Sequence, residues 1–244
     1  MPKLYGLIGY PLEHSFSATH FNTKFKQEGI DAVYKNFELT HLDDFFCTLK
    51  KYNNLCGFNV TMPYKQTIIP LLSNLDYSAQ SIGAVNTIKV SDEGLTGYNT
   101  DVYGFEKLWQ ENIKSDIHSA IILGSGGAAK AVENVLKSKK INYLIATRNP
   151  EASHHIHYSQ IWDNNHSFQV IINATPVGMS PFPENIPPID TSKINESHIV
   201  IDLIYNPSLT KLLQIAQSQG AKTINGLRML ICQAEKSWKI WNED

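Results

Sequence analysis

The sequence predicts an α/β protein of two lobes with largely parallel sheets. Three observations carry this. Short β-branched runs alternate with helical periodicities from the start of the chain. The alternation begins afresh near residue 101. The second series carries Gly124-Ser125-Gly126-Gly127-Ala128-Ala129 between an apolar strand and a helix.

The elements follow in order. Leu4 to Ile8 reads as a strand, broken by Gly9-Tyr10-Pro11. Ser17 to Gln27 reads as a helix, with Phe21 and Phe25 on one face. Ala32 to Leu39 is a strand, His41 to Lys51 a helix and Gly57 to Val60 a strand. Pro63 suits a first helical turn, and a helix to Leu72 would turn Ile68, Leu71 and Leu72 to a core. Val85 to Val90 and Leu95 to Tyr98 flank Ser91-Asp92-Glu93-Gly94, which reads as a hairpin turn. In the second series, helices are expected at Val102 to Gln110, Ala128 to Lys137, Ser208 to Gln219 and Met229 to Trp241. Strands are expected at Ser119 to Leu123, Tyr143 to Ala146, Val170 to Asn173, Ile199 to Leu203 and Ala221 to Ile224. The stretches 149–160 and 180–198 read as loops inside the second lobe.

Composition narrows the function classes. The chain has 244 residues, 42% hydrophobic and 18% charged, an ordinary globular balance. The net charge of -2 gives no basic field for nucleic acid or an anionic membrane surface. No apolar run approaches the roughly 20 residues of a membrane helix. No charged segment followed by an apolar block opens the chain, so a cytoplasmic site is expected. Cys47, Cys56 and Cys232 form no C-x-x-C pair and read as buried free thiols. His154, His155 and His157 read either as metal ligands or as a polar loop after Pro150; with no second ligand group at metal spacing, no metal is expected.

The glycine-rich stretch carries chemistry. Gly124 allows a tight turn, Gly126 lets backbone approach a pyrophosphate, and Ala129 lets the helix pack on the strand. The bland alternative is a flexible turn. At the end of the next strand, Thr147-Arg148-Asn149 holds no acid to bind ribose hydroxyls. Arg148 is either a solvated side chain or a partner for a 2′-phosphate, and its place at the strand end favours NADP, with Lys130 adding a second charge.

The first lobe places polar residues at its breaks. Ser17 suits a helix cap, Asn86 a turn, Asp101 a cap for the helix at 102, and Lys65 a solvated face. Together they would give a site hydroxyls, an amide, a carboxylate and an ammonium, which suits a small polyhydroxylated acid. Their motifs run in order: Gly9-Tyr10-Pro11-Leu12-x-His14-Ser15-x-Ser17, Gly57-Phe58-Asn59-Val60-Thr61-Met62-Pro63-x-Lys65, Ile82-Gly83-Ala84-Val85-Asn86-Thr87 and Gly97-x-Asn99-Thr100-Asp101-x-x-Gly104. Then come the glycine loop, Asn173-Ala174-Thr175-Pro176-Val177-Gly178-Met179, Asp202-x-x-Tyr205-x-Pro207-x-x-Thr210 and Gly226-x-x-Met229-Leu230-x-x-Gln233-Ala234. In this combination the chain resembles the shikimate dehydrogenases over essentially its whole length.

The resemblance implies NADPH-dependent reduction of 3-dehydroshikimate to shikimate, on the route to chorismate and the aromatic amino acids. It implies an N-terminal α/β substrate-binding domain at 1–100, completed by a C-terminal helix at 227–244. A Rossmann-like, doubly wound NADP-binding domain would span 101–226, with the cleft between the two. Ser15 and Ser17 would hold the ring carboxylate, with Tyr205 beside it. Thr61, Asn86 and Gln233 would bind ring hydroxyls or the carboxylate, and Lys65 and Asp101 would form the catalytic pair, also in contact with substrate. Gly124, Gly126, Gly127, Ala128, Ala129, Lys130, Thr147, Arg148, Asn149, Leu203 and Gly226 match cofactor-contacting positions. Two departures stand out. Pro150-Glu151-Ala152 follows Arg148 where a second basic residue is common, and Tyr77 stands where the family often has an acid. The expected assembly is a monomer or homodimer. The rivals are an NAD-using quinate/shikimate dehydrogenase, a paralogue for another hydroxy acid, and a non-catalytic nucleotide-binding module.

Overall fold

The computed structural model describes residues 1–12, 15–163 and 166–243; His14 of the first motif lies outside the described residues. The chain forms two compact units, Met1–Thr100 with Ala234–Asp244, and Asp101–Gln233.

The first unit contains β1 (Lys3–Gly9), α1 (Phe16–Glu28), β2 (Ala32–Glu38), α2 (Asp44–Lys50), β3 (Leu55–Val60), β4 (Asn74–Leu75), α3 (Tyr77–Ile82), β5 (Thr87–Ser91) and β6 (Gly94–Tyr98). The second contains α4 (Asp101–Asn112), β7 (Ser119–Leu123), α5 (Gly127–Ser138), β8 (Asn142–Thr147), β9 (His155–His157), β10 (Val170–Asn173), β11 (Ile199–Asp202), α6 (Lys211–Ser218) and β12 (Lys222–Asn225). A last helix, α7 (Leu227–Asn242), spans the division at Ala234.

The sheet of the first unit has the order β2-β1-β3-β5-β6-β4. It is mixed rather than largely parallel. Strands β5 and β6 pair antiparallel because a tight turn at Asp92-Glu93 joins them where a parallel connection would need a crossover, and β5 also runs antiparallel to β3. One face buries Phe21, Phe25, Tyr34 and Tyr5 against Trp241 of α7. Trp241 lies close to β3 because Gly57 has no side chain: a Cβ there would stand 2.3 Å from the indole nitrogen, which donates to Ile88 O at 3.0 Å.

The sheet of the second unit has the order β12-β11-β10-β7-β8-β9, every pair parallel. The order reverses between β7 and β10, the crevice where such folds bind ligands. Ile121, Ile122 and Leu123 are fully buried because packed side chains cover both faces of the sheet. Each contributes about 1.5–3 kcal/mol.

Several expectations are corrected. Residues 63–72 form turns and a short 3₁₀ segment, Ile69–Leu71, instead of a helix. Pro70 would fall in its interior and lacks the required N–H, after the β-branched run Thr67-Ile68-Ile69. Ile68 is still buried, but Leu71 and Leu72 only partly. Helix α2 is shorter than His41–Lys51 and turns Phe45 and Thr48 inward, so Cys47 is exposed, Cys56 is half-buried and only Cys232 is buried as expected. Helix α6 starts at Lys211, capped by the Thr210 hydroxyl accepting from Leu213 N, which leaves Leu209 exposed. The stretch 149–160, read as a loop, contains β9 and a 3₁₀ turn. Helix α3 was not expected; Asp76 caps it by accepting from Ser78 N at 2.9 Å, and Gly83 ends it at φ 65°.

Candidate active site

The first unit gathers five of the expected residues at the carboxyl ends of β1 and β3. Ser15, not Ser17, occupies the cap position of α1, and its side chain makes no capping bond. Its Oγ is buried with no hydrogen-bond partner. Ser17 lies inside the helix and is buried. Thr61 follows β3, its N–H donating to Ile8 O at 2.8 Å. Gly9 makes room for it: a Cβ at that position would stand 2.4 Å from Thr61 Cγ2. Lys65 is half-buried in a turn, and its carbonyl accepts from Val85 N at 2.7 Å, which ties it to the strand start that carries Asn86.

A buried polar network underlies this edge. Tyr34 donates to Asn59 Oδ1 at 2.8 Å, and Asn59 Nδ2 donates to Ser237 Oγ at 3.0 Å and to Asn86 O at 3.2 Å. Asn86 donates to Thr100 Oγ1 at 3.0 Å and accepts from Thr100 N at 2.8 Å. Burial makes each unmade bond here expensive, so the network fixes the amide of Asn86. The same burial holds the Tyr34 hydroxyl far above its ordinary pKa. Asn59 belongs to one of the sequence motifs, whereas Tyr34 and Ser237 carry no role in the sequence reading. The signal for Ser237 is a lone hydroxyl on the otherwise apolar face of the last helix.

The second unit presents the glycine loop at the end of β7. Gly124 has φ +97°, and a Cβ would stand 2.7 Å from Thr175 Cγ2, so two independent restrictions require glycine. Gly126 caps α5, and a Cβ there would meet nothing within 4 Å. That open space lies before the unpaired N–H groups of Gly127, Ala128 and Ala129, a site for an anion. Ala129 is fully buried against the sheet, as expected for the small residue of the loop. Lys130 sits half-buried in the first turn. Thr147 is buried at the end of β8, its Oγ1 3.4 Å from Ser125 Oγ and accepting from Asn149 N at 3.4 Å. Arg148 and Asn149 are exposed beyond it. No acid stands at this strand end. The open cradle and this charge pattern fit a dinucleotide carrying a 2′-phosphate.

Across the reversal point, Asn173 and Asp202 end β10 and β11. Thr175 Oγ1 donates to Asn173 Oδ1 at 2.6 Å, and Thr210 Oγ1 donates to Asp202 Oδ2 at 2.6 Å. These bonds shape the turn carrying Thr175 against Gly124 and the stretch from Leu203 to Tyr205. Leu203 N donates to Asn173 O at 3.0 Å, and Gly226 packs on Leu203 so closely that a Cβ would stand 2.0 Å from its carbonyl oxygen. Tyr205 is half-buried between β11 and α6. Asp101 is buried as the first residue of α4 rather than the cap before it. Gln233 is on α7, which crosses α4 at Gly104, where a Cβ would stand 2.6 Å from Met229 O and 3.1 Å from Gln233 Cβ. Asp101 and Gln233 thus ride on one closely packed helix pair.

Among the described residues, no group of three or more His, Cys, Asp and Glu side chains is placed to hold a metal. Nor, among the described residues, is any helix long and apolar enough to cross a membrane.

A parallel, doubly wound unit with a glycine cradle, joined to an α/β unit rich in hydroxyls and amides, defines a dinucleotide-binding enzyme class. A family model described as the shikimate dehydrogenase substrate binding domain matches residues 7–88. A shikimate dehydrogenase (NADP+) of Methanococcus maripaludis is 39% identical over 256 residues, covering 98% of this chain and 91% of the relative. One of Clostridium botulinum is 40% identical over 247 residues, covering 97% and 95%. A crystal structure of a shikimate dehydrogenase in complex with NADP+ superposes with a TM-score of 0.90 at 38% identity, covering 100% of this chain and 91% of that one. The chain belongs to the shikimate dehydrogenase family.

Proposed function

We propose that the chain catalyses the reversible, NADP-dependent reduction of 3-dehydroshikimate to shikimate, a step on the route to chorismate. The buried, unpartnered Ser15 Oγ beside Ser17 carries this reading. It is a hydroxyl donor without a protein acceptor, suited to a ligand carboxylate. Tyr205 serves the same carboxylate, while Thr61, Asn86 and Gln233 take ring hydroxyls or the carboxylate.

When bound, NADPH supplies the hydride. Lys65 Nζ gives its proton to the oxygen that becomes an alkoxide, and takes a proton back in the oxidation direction. Asp101 orients the ammonium and accepts a hydrogen bond from a substrate hydroxyl. Gly124, Gly126 and the N–H groups of Gly127 to Ala129 bind the pyrophosphate, with Lys130 adding charge. Thr147, Arg148 and Asn149 bind the 2′-phosphate end, while Leu203 and Gly226 line the nicotinamide end. The reading places the enzyme in the cytoplasm as a monomer or homodimer.

Mixing the protein with shikimate and either NADP+ or NAD+, and following reduced nicotinamide by absorbance, tests the proposal. Turnover with shikimate and a preference for NADP+ are expected. No turnover with either cofactor refutes it, and equal use of both refutes the cofactor assignment.

A further inference from the structure

A dinucleotide laid across the amino end of a helix places its adenosine ribose at the carboxyl end of the following strand. Here that strand is β8, ending at Thr147. Ile145 packs with Ala129 and Val132 of α5. Strand side chains alternate, so Thr147 faces the same way. The parallel register sets His155 beside Ile145 and His157 beside Thr147. Both imidazoles therefore lie on the α5 face, whereas Tyr158 packs with Ile161 and Ile171 on the other. His157 is exposed, next to the strand end where a 2′ substituent would lie.

The ring of His157 is held in one orientation. Ser159 N donates to Nδ1 at 3.3 Å, and Ser159 Oγ lies 2.9 Å from the same atom. The Gln160 side chain accepts from His157 N at 2.9 Å, closing a reciprocal cap on the 3₁₀ turn Tyr158–Gln160. A ring nitrogen that accepts a backbone N–H carries the lone pair, so the ring hydrogen is on Nε2. His155 works the same way from below: its Nδ1 accepts from Glu151 N at 3.4 Å and steadies the loop that follows Arg148. The nearby carboxylate of Glu133 is already engaged by Lys137 at 2.8 Å, Tyr143 at 2.8 Å and His154 at 3.2 Å.

We infer that His157 is a specificity-determining residue that donates from Nε2 to the 2′-phosphate of the dinucleotide. The inference rests on the NADP-dependent reading above and adds a residue from the third strand to it.

Adenosine 2′,5′-bisphosphate and adenosine 5′-monophosphate separate the two ideas. Their binding to the full chain is measured by titration calorimetry, for the parent and for His157→Asn. Asparagine keeps an acceptor for Ser159 N and is a favoured cap residue, but lacks the Nε2 donor. The bisphosphate should bind about ten- to a hundredfold more weakly to the variant, the loss of one hydrogen bond to a charged group, with the monophosphate unchanged. In the parent, the ring nitrogen resonances of His157 should move with the bisphosphate and stay in place with the monophosphate. Unchanged bisphosphate affinity in the variant, or equal weakening of both probes, overturns the role of His157 and leaves the cofactor reading standing. A parent that binds both probes equally overturns the cofactor reading and the inference together.

Discussion

Asn173 donates its side-chain amide to Asp202 Oδ1 at 3.0 Å, joining the ends of β10 and β11, and neither residue is exposed at all. Asp202 also accepts from Ile204 N at 3.1 Å and from Thr210 Oγ1. Burial nevertheless outweighs these bonds and pushes its carboxyl up to about 6 from 3.8. The folded chain therefore holds this proton more tightly than the unfolded chain does. The stabilisation from this group is full below pH 3.8 and is lost as the pH rises to about 6. The loss is about 2–3 kcal/mol. Urea midpoints measured from pH 4 upward should show this fall in the parent and lack it in Asp202→Asn, where the Thr210 hydroxyl turns to accept. Parallel pH profiles for the two proteins would exclude the effect.

The second unit was legible from local pattern because each of its parallel strands is short, apolar and bounded by turns. Strands Ser119–Leu123 and Val170–Asn173 appear at their expected bounds. Strand β9 escaped because His155 and His157 mask its single apolar residue, Ile156. In the first unit, Pro63 read as a helix start, while Pro70 seven residues on decided against the helix. The supporting network escaped for another reason. Asn59 and Ser237 bond across 178 positions in sequence, and no local periodicity reports such a pair. The Asp202 network did leave a trace, an acid closing the apolar run Ile199-Val200-Ile201.

Gly126 and Gly226 should respond oppositely to alanine. A Cβ at Gly226 would lie 2.0 Å from Leu203 O and 2.4 Å from Leu203 C, so backbone must move. Gly226→Ala should destabilise the fold by about 3 kcal/mol or more. At Gly126 the new Cβ meets nothing within 4 Å, but it fills the space where the pyrophosphate would approach. Gly126→Ala should keep the unfolding free energy within about 1 kcal/mol of the parent. NADP+ should bind it at least about tenfold more weakly. Chemical denaturation with cofactor titration checks both, and intact cofactor binding in Gly126→Ala would count against the cradle.

Arg148 should govern the choice between cofactors. Its exposed guanidinium pairs with phosphate through a planar fork, a charge-assisted contact of about 1.5–3 kcal/mol. Arg148→Ala should lower kcat/KM for NADP+ about ten- to a hundredfold and leave NAD+ nearly untouched. Equal losses for the two cofactors would indicate a general role for the arginine.

Lys65 should separate chemistry from binding. Removing a proton donor that acts in the transition state lowers kcat more than it raises KM. Lys65→Ala should reduce kcat by roughly a hundredfold or more. A variant with near-parental kcat and a raised KM would reduce Lys65 to a ligand.

Ser15 should trade stability against binding. Its Oγ is buried without a partner, a desolvated hydroxyl that destabilises the free chain by up to about 1–3 kcal/mol. It makes no capping bond to α1, so alanine removes no helix contact. Ser15→Ala should therefore leave the free protein as stable as the parent, or more so, while raising KM for shikimate by about tenfold. Ser17→Ala differs, because Ser17 is a buried residue inside α1, near the Tyr34 hydroxyl that donates to Asn59. That variant should lose both substrate affinity and about 1 kcal/mol of stability. Denaturation midpoints and shikimate KM for the two variants give the comparison. A Ser15→Ala protein that lost stability and kept its KM would make Ser15 a structural cap, and the carboxylate would need another donor.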